Sequence, residues 1–215
     1  MAGFQGFGPD AIAFYEGLSV DNSRAYWQAH RSVYERDVAG PLHALAAELA
    51  DEFGEAKVFR PYRDVRFSAD KRPYKENAAM AVEDGAALYV SLSLEGLFVA
   101  GGLYQPSRDQ LERFRALQDD DSVAADLDRV LADVATRGYP LGEGDPVRTA
   151  PRGYRKDHPR IDLLRRRTLT VAAQHEPGPW VHTHECLDLV REGWRTCRAW
   201  NTWLARHVGP AAGGS

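Results

Sequence analysis

A chain of 215 residues with 44% apolar and 27% charged side chains has enough apolar material for a buried core, which excludes a disordered polymer. No apolar run approaches the roughly 20 residues of a membrane-spanning helix, and the N-terminus lacks the basic-then-apolar pattern of a secretory leader, so a soluble, cytoplasmic protein with no membrane partner is expected. Two cysteines, Cys186 and Cys197, are too few for a disulfide framework, and the net charge of −4 argues against a broad polyanion-binding surface.

In chain order, Pro9 and Asp10 open a helix with Phe14, Tyr15 and Leu18 as its apolar stripe, and Asp21-Asn22-Ser23 supplies N-cap chemistry for a second. Tyr26, Trp27, His30, Val33, Tyr34 and Val38 recur at helical spacing. Gly40-Pro41 then interrupts, and a resumed helix runs to about Phe53. Residues 60–67 (RPYRDVRF) alternate like a strand and lead into a loop, SADKRPYK. The runs 86–94 and 97–104 flank Glu95-Gly96 as a hairpin, and Gly101-Gly102 implies a bulge or a close backbone approach. Helices follow from Ser107 to about Leu117 and from the Asp119–Asp121 cap to Thr136. A Gly/Pro-rich connection, a short helix at Ile161, a strand at TLTVAA and a last helix from Val181 to His207 complete the chain. Helices before and after a cluster of hairpin-linked strands give an α+β fold, with a mainly antiparallel sheet flanked by N- and C-terminal helices. One domain over 1–207 and a disordered tail at 208–215 are expected.

Charge is segregated. Residues 58–75 carry net +4 and 148–215 net +6, against −5 for 1–57 and −9 for 76–147. The first basic segment holds the most distinctive run in the chain, Arg63-Asp64-Val65-Arg66-Phe67-Ser68-Ala69-Asp70-Lys71-Arg72-Pro73-Tyr74-Lys75. This run resembles the signature of the bacterial and fungal family catalogued as domain of unknown function 2461. FY at 14–15, DNSRAYW at 21–27, GGLYQP at 101–106 and PRGYRKDHPRIDLL at 151–164 are similar in the same order, so the resemblance spans roughly 4–206. It implies one soluble α+β domain, and it brings no activity, cofactor or catalytic residue with it.

Arg63, Arg66, Ser68, Lys71, Tyr74 and Lys75 unite forked and point-charge cations with hydroxyls, the donor set for phosphate or carboxylate. The competing reading is an ion-pair network through Asp64 and Asp70. If 60–67 is a strand, Arg66 is buried, and its loss costs more stability than that of Lys75. A second cluster, Arg152, Tyr154 and His158, is expected to pack beside the first, with His158 as acid/base. The structural alternative has His158 capping the helix at Ile161. His182, His184, Glu185 and Cys186 lack any fixed metal-ligand spacing, so neither metal nor cofactor is expected. The leading function is a binding site, catalytic or not, for an anionic small molecule such as a phosphorylated or carboxylated metabolite. The alternatives are nucleic-acid or nucleotide recognition, with Tyr62, Tyr74 and Tyr154 as stacking platforms, and a protein-interaction domain. Sequence leaves the oligomeric state open.

Overall fold

The computed structural model describes residues 3–66 and 70–212. It is an α+β protein with one five-stranded sheet in the order β1-β2-β3-β4-β5: Lys57–Val58, Asn77–Asp84, Ala86–Ser93, Gly96–Leu103 and Leu169–His175. The sheet is antiparallel, and helices precede and follow it in the chain. Where the sequence suggests no internal boundary, the chain divides into two compact units. Met1–Val82, Tyr89–Val99 and Gln174–Glu192 form the first; Glu83–Leu88, Ala100–Ala173 and Gly193–Ser215 form the second.

In the first unit, α1 (Ala11–Val20) buries Phe14, Tyr15 and Leu18, and α2 (Arg24–Val33) starts from Ser23, whose hydroxyl accepts the Tyr26 N–H. Gly40-Pro41 does not break the helix as expected. A π-helical stretch, Tyr34–Ala39, carries α2 directly into α3 (Gly40–Phe53). The wider turn fits a residue at 41 that has no N–H to give to an ordinary helical bond. Asp37, buried in that stretch, is fixed by Arg36 and by the Asp10 backbone N–H, which hold its carboxyl below the usual range. It thereby anchors the start of α1.

β1 is two residues long and pairs with β2 (Lys57↔Ala81, Val58↔Met80), and the Phe59 N–H donates to Ala79 O. Of the strand expected at 60–67, the described residues 60–66 form only an isolated bridge. Residues 60–66 and 70–75 instead make an arm with one antiparallel bridge among the described residues, Tyr62↔Tyr74. Pro61 and Pro73 explain the difference. Neither can donate to a ladder, and each sits where only its carbonyl is needed, accepting from Lys75 and Arg63 respectively. β2 was not expected from sequence. The β3–β4 hairpin was, with its turn at Leu94-Glu95 and Gly96 at φ +92°.

In the second unit, α4 (Arg108–Ala116) is closed by a Ser107/Gln110 capping box and α5 (Asp121–Thr136) by the Asp120 carboxylate. A close backbone approach accounts for Gly101-Gly102: a Cβ on Gly102 would lie 2.1 Å from Leu169 O. After the short helix α6 (Ile161–Leu164), the second-unit part of α7 (Glu185–His207) buries Trp194, Cys197, Trp200, Trp203 and Leu204 at helical spacing, and Trp200 Nε1 donates to Leu169 O at 3.0 Å. Residues 208–212, expected to begin a disordered tail, are tied to α4: Gln110 Nε2 donates to Gly209 O, and Asp109 accepts the Ala212 N–H. No helix among the described residues is long and apolar enough to cross a membrane.

Candidate functional site

The arm is a two-faced ribbon. Side chains alternate across an antiparallel bridge, so Tyr62 and Tyr74 share one face, while Arg63 and Lys75 fall on the other. The tyrosine face packs on α2. Tyr74 is buried and stacked on Trp27, with ring centroids 4.3 Å apart and planes 6° apart, and Tyr62 lies 5.8 Å from the same indole. Asn22 secures the contact. Its Oδ1 accepts the Tyr74 N–H at 3.0 Å, and its Nδ2 donates to Tyr74 O at 3.1 Å.

A groove of about 400 Å³ opens on the arm, and residues of both faces line it: Arg60, Tyr62, Arg63, Asp64, Val65, Asp70 and Lys75. A smaller depression of about 290 Å³ shares Arg63 and is lined otherwise by Glu76, Asn77, Ser93, Leu94 and Glu95. Much of the arm's positive charge is spent internally. Arg66 holds Asp64 through two bonds, at 2.9 and 2.6 Å. Asp70 takes both Arg72, at 2.8 Å, and Arg63, and Arg72 reaches Glu76 at 2.7 Å. These guanidiniums, Arg72 foremost, hold the Asp70 carboxyl well below the usual carboxylate range.

Lys75 stands apart. Its ammonium has no hydrogen bond or ion pair among the described residues, and it lies 5.3 Å from the centre of the Phe59 ring. Partial burial, then the positive charges of Arg60 and Arg63, pull its pKa below the ordinary lysine value. Lys71, by contrast, donates to Val65 O at 3.1 Å from an exposed position.

Of the residues singled out from sequence, the structure gathers Arg63 and Lys75 in one groove and adds Arg60 and Tyr62. Tyr74 faces the core, where it supports the arm. The side chain of Arg66 is 76% exposed, which reverses the expectation that it is buried. Ser68 lies outside the described residues. Arg152, Tyr154 and His158 contribute nothing to the groove's lining. Their segment bonds to α5 and the turn before it. His158 Nδ1 accepts the Arg160 N–H at 3.0 Å and its Nε2 meets Asp119 at 3.2 Å, so both ring nitrogens are engaged. Tyr154 packs edge-on to the His158 ring at 5.9 Å, Arg160 pairs with Asp128, and Arg152 is exposed.

Near the start of α7, His182 and His184 are exposed, while Cys186 is buried with its thiol pushed up to about 12. Among the described residues, no three His, Cys, Asp or Glu side chains are grouped to hold a metal. Sequence reasoning passed over Asn22 as a ligand of the arm, reading it only as cap chemistry, and left Arg60 out of the cationic set.

These features define an α+β protein whose antiparallel sheet carries a proline-bracketed, two-faced arm with a cationic groove. The chain belongs to the family described as conserved hypothetical protein (DUF2461), whose model matches residues 10–203. No curated protein and no solved structure matches it.

Proposed function

We propose that the arm groove binds an anionic small molecule through a phosphate or carboxylate group, with Arg60, Arg63 and Lys75 as its cationic ligands and Tyr62 as a hydroxyl donor. The observation that carries this reading is Lys75, an ammonium without a counter-ion among the described residues, in an open groove that it shares with Arg60 and Arg63. An anion seated there relieves the mutual repulsion of three cations and adds charge-assisted hydrogen bonds. A small ligand is favoured over a polynucleotide because Tyr74, one of the three stacking candidates, is turned into the core, and carboxylates line the same groove. Both cysteines are buried and unpaired, which favours a reducing compartment, and we place the protein in the cytoplasm on that ground.

A thermal-shift titration with inorganic phosphate and with phosphorylated and carboxylated metabolites, at constant ionic strength, tests the reading. A ligand at 100 times its Kd adds about 2.7 kcal/mol, which at about 2–4 °C per kcal/mol for a chain of this size raises Tm by about 5–11 °C. Lys75→Met and Arg63→Ala should each remove most of that shift. A shift of equal size in both variants, or none in the wild type with any anion, overturns the assignment.

A further inference from the structure

We propose that Lys75 is a nucleophile that forms a Schiff base with an anionic carbonyl compound, with Arg60 and Arg63 holding the anion while the lysine Nζ meets the carbonyl carbon. The inference rests on the anion-binding reading above and goes beyond it by assigning a covalent step.

Three observations converge on this lysine. The ammonium has no hydrogen-bond acceptor or counter-ion among the described residues, so freeing the nitrogen lone pair takes only the loss of one proton to the solvent of the open groove. Its charged surroundings are Arg60 and Arg63 on the arm, with Lys57 across the shared Phe59 ring at 5.8 Å. The groove carboxylates, Asp64 and Asp70, are already held by Arg66 and by Arg72 and Arg63. Partial burial, and then the clustered cations, disfavour protonation of the amine, which is how a lysine is made more nucleophilic. Finally, the groove is open to solvent and large enough for a small metabolite.

The step balances without any co-reactant. The Nζ lone pair forms a bond to the carbonyl carbon as the carbonyl π pair moves onto oxygen. A proton passes from nitrogen to that oxygen to give the carbinolamine. Loss of the hydroxyl with a proton taken from solvent, as one water, leaves the C=N bond as an iminium, which carries the charge that the ammonium began with. Tyr62 lines the same groove and offers a hydroxyl for the proton movements. An uncharged aldehyde would yield an iminium cation beside two guanidiniums with nothing to offset it. A carbonyl bearing a carboxylate or phosphate supplies the missing charge, and this selects anionic substrates.

Reductive trapping tests the proposal. Full-length protein is incubated with glyoxylate and cyanoborohydride, and the adducts are mapped by mass spectrometry. The chain contains only four lysines, Lys57, Lys71, Lys75 and Lys156, so assignment is direct. Lys75 should be modified at least about tenfold faster than the other three, and by about the same factor faster than in the Arg60→Ala/Arg63→Ala variant. Lys75→Arg, shown to be folded by its melting curve, should lose that adduct and keep the slow background at the other lysines. Propionaldehyde, which lacks the anion, should show no preference for Lys75. Modification of Lys75 no faster than Lys57, Lys71 and Lys156 overturns the Schiff-base assignment. If phosphate still raises Tm in the wild type but not in Lys75→Met, the anion site stands without it; if neither effect is seen, both readings fall.

Discussion

Asn22 offers the sharpest test of how the arm is held. Its side-chain amide acts as a one-residue strand partner for Tyr74, accepting the backbone N–H at 3.0 Å and donating to the carbonyl at 3.1 Å. Asn22→Ala removes both bonds. At about 0.5–1.5 kcal/mol net per hydrogen bond, the loss is about 1–3 kcal/mol, since water only partly replaces the amide at this half-buried position. For a chain of this size a central loss of about 2 kcal/mol lowers Tm by about 4–8 °C.

Asn22→Asp is the more informative partner. It keeps an acceptor for the Tyr74 N–H, but it replaces the donor by an oxygen facing both the Tyr74 carbonyl and Glu76 Oε1, which lies 3.3 Å from Nδ2. At neutral pH it should therefore melt no higher than Asn22→Ala. Below the carboxylate range it should recover relative to Ala, because the protonated acid regains a donor. Differential scanning calorimetry at two pH values reads both effects. An alanine variant with unchanged Tm, or an aspartate variant more stable than alanine at neutral pH, would refute the clamp.

Two further outcomes follow from buried features away from the groove. Burial raises the thiols of Cys186 and Cys197 from 9.0 to about 12, so neither should react with an aromatic disulfide reagent in the folded protein. Because the folded pKa is the higher one, the stability these thiols contribute is complete below about 9 and is lost as pH rises toward about 12. A Cys186→Ala/Cys197→Ala variant should lose less Tm than wild type over that interval, and an equal loss would contradict the assignment. Gly102→Ala combines φ +127° with a methyl 2.1 Å from Leu169 O, whereas Gly85→Ala has φ +73° and open space. The first should cost at least about 3 kcal/mol and the second about 1 kcal/mol, so similar losses in urea unfolding would rule out a steric origin.

What was legible in the sequence was local. Ser107 before α4, the aspartates before α5 and the two apolar runs around Glu95-Gly96 each satisfy backbone groups within a few residues, and each element forms where those signals place it. β2 escaped notice because Ala78, Ala79 and Ala81 give a weak strand signal, although the run lies between charged residues. The arm was misread for a different reason. Alternation at 60–67 is a strand pattern only if the backbone can donate on both edges, and Pro61 and Pro73 forbid that. Once the ladder fails, nothing carries Arg66 inward, and its guanidinium turns to the nearest carboxylate, Asp64. The clamp between Asn22 and Tyr74 joins residues 52 apart, and the capping role that Asn commonly plays hid it. The cationic cluster was visible as composition. Which cations remain without a counter-ion depends on pairings that composition does not encode.

The two faces of the arm divide its energetics. Burying Tyr74 is worth about 1.5–3 kcal/mol, and its stacking on Trp27 about 0.5–1.5 kcal/mol more. Repulsion between solvent-facing cations about 4 Å apart is near 1 kcal/mol in water and falls with salt. The aromatic face therefore outweighs the cost of aligning Arg60, Arg63 and Lys75, and the groove can keep an unbalanced positive charge in the folded state. The Arg63–Asp70 pair sets no strong barrier to a ligand either. Both side chains are 35% exposed, a setting in which ion pairs contribute at most about 1 kcal/mol, and Asp70 retains Arg72 when Arg63 is withdrawn. An anion entering the groove thus exchanges one weak contact of Arg63 for a new one and gains Lys75 outright. This makes Lys75, rather than the more numerous arginines, the residue on which affinity should turn.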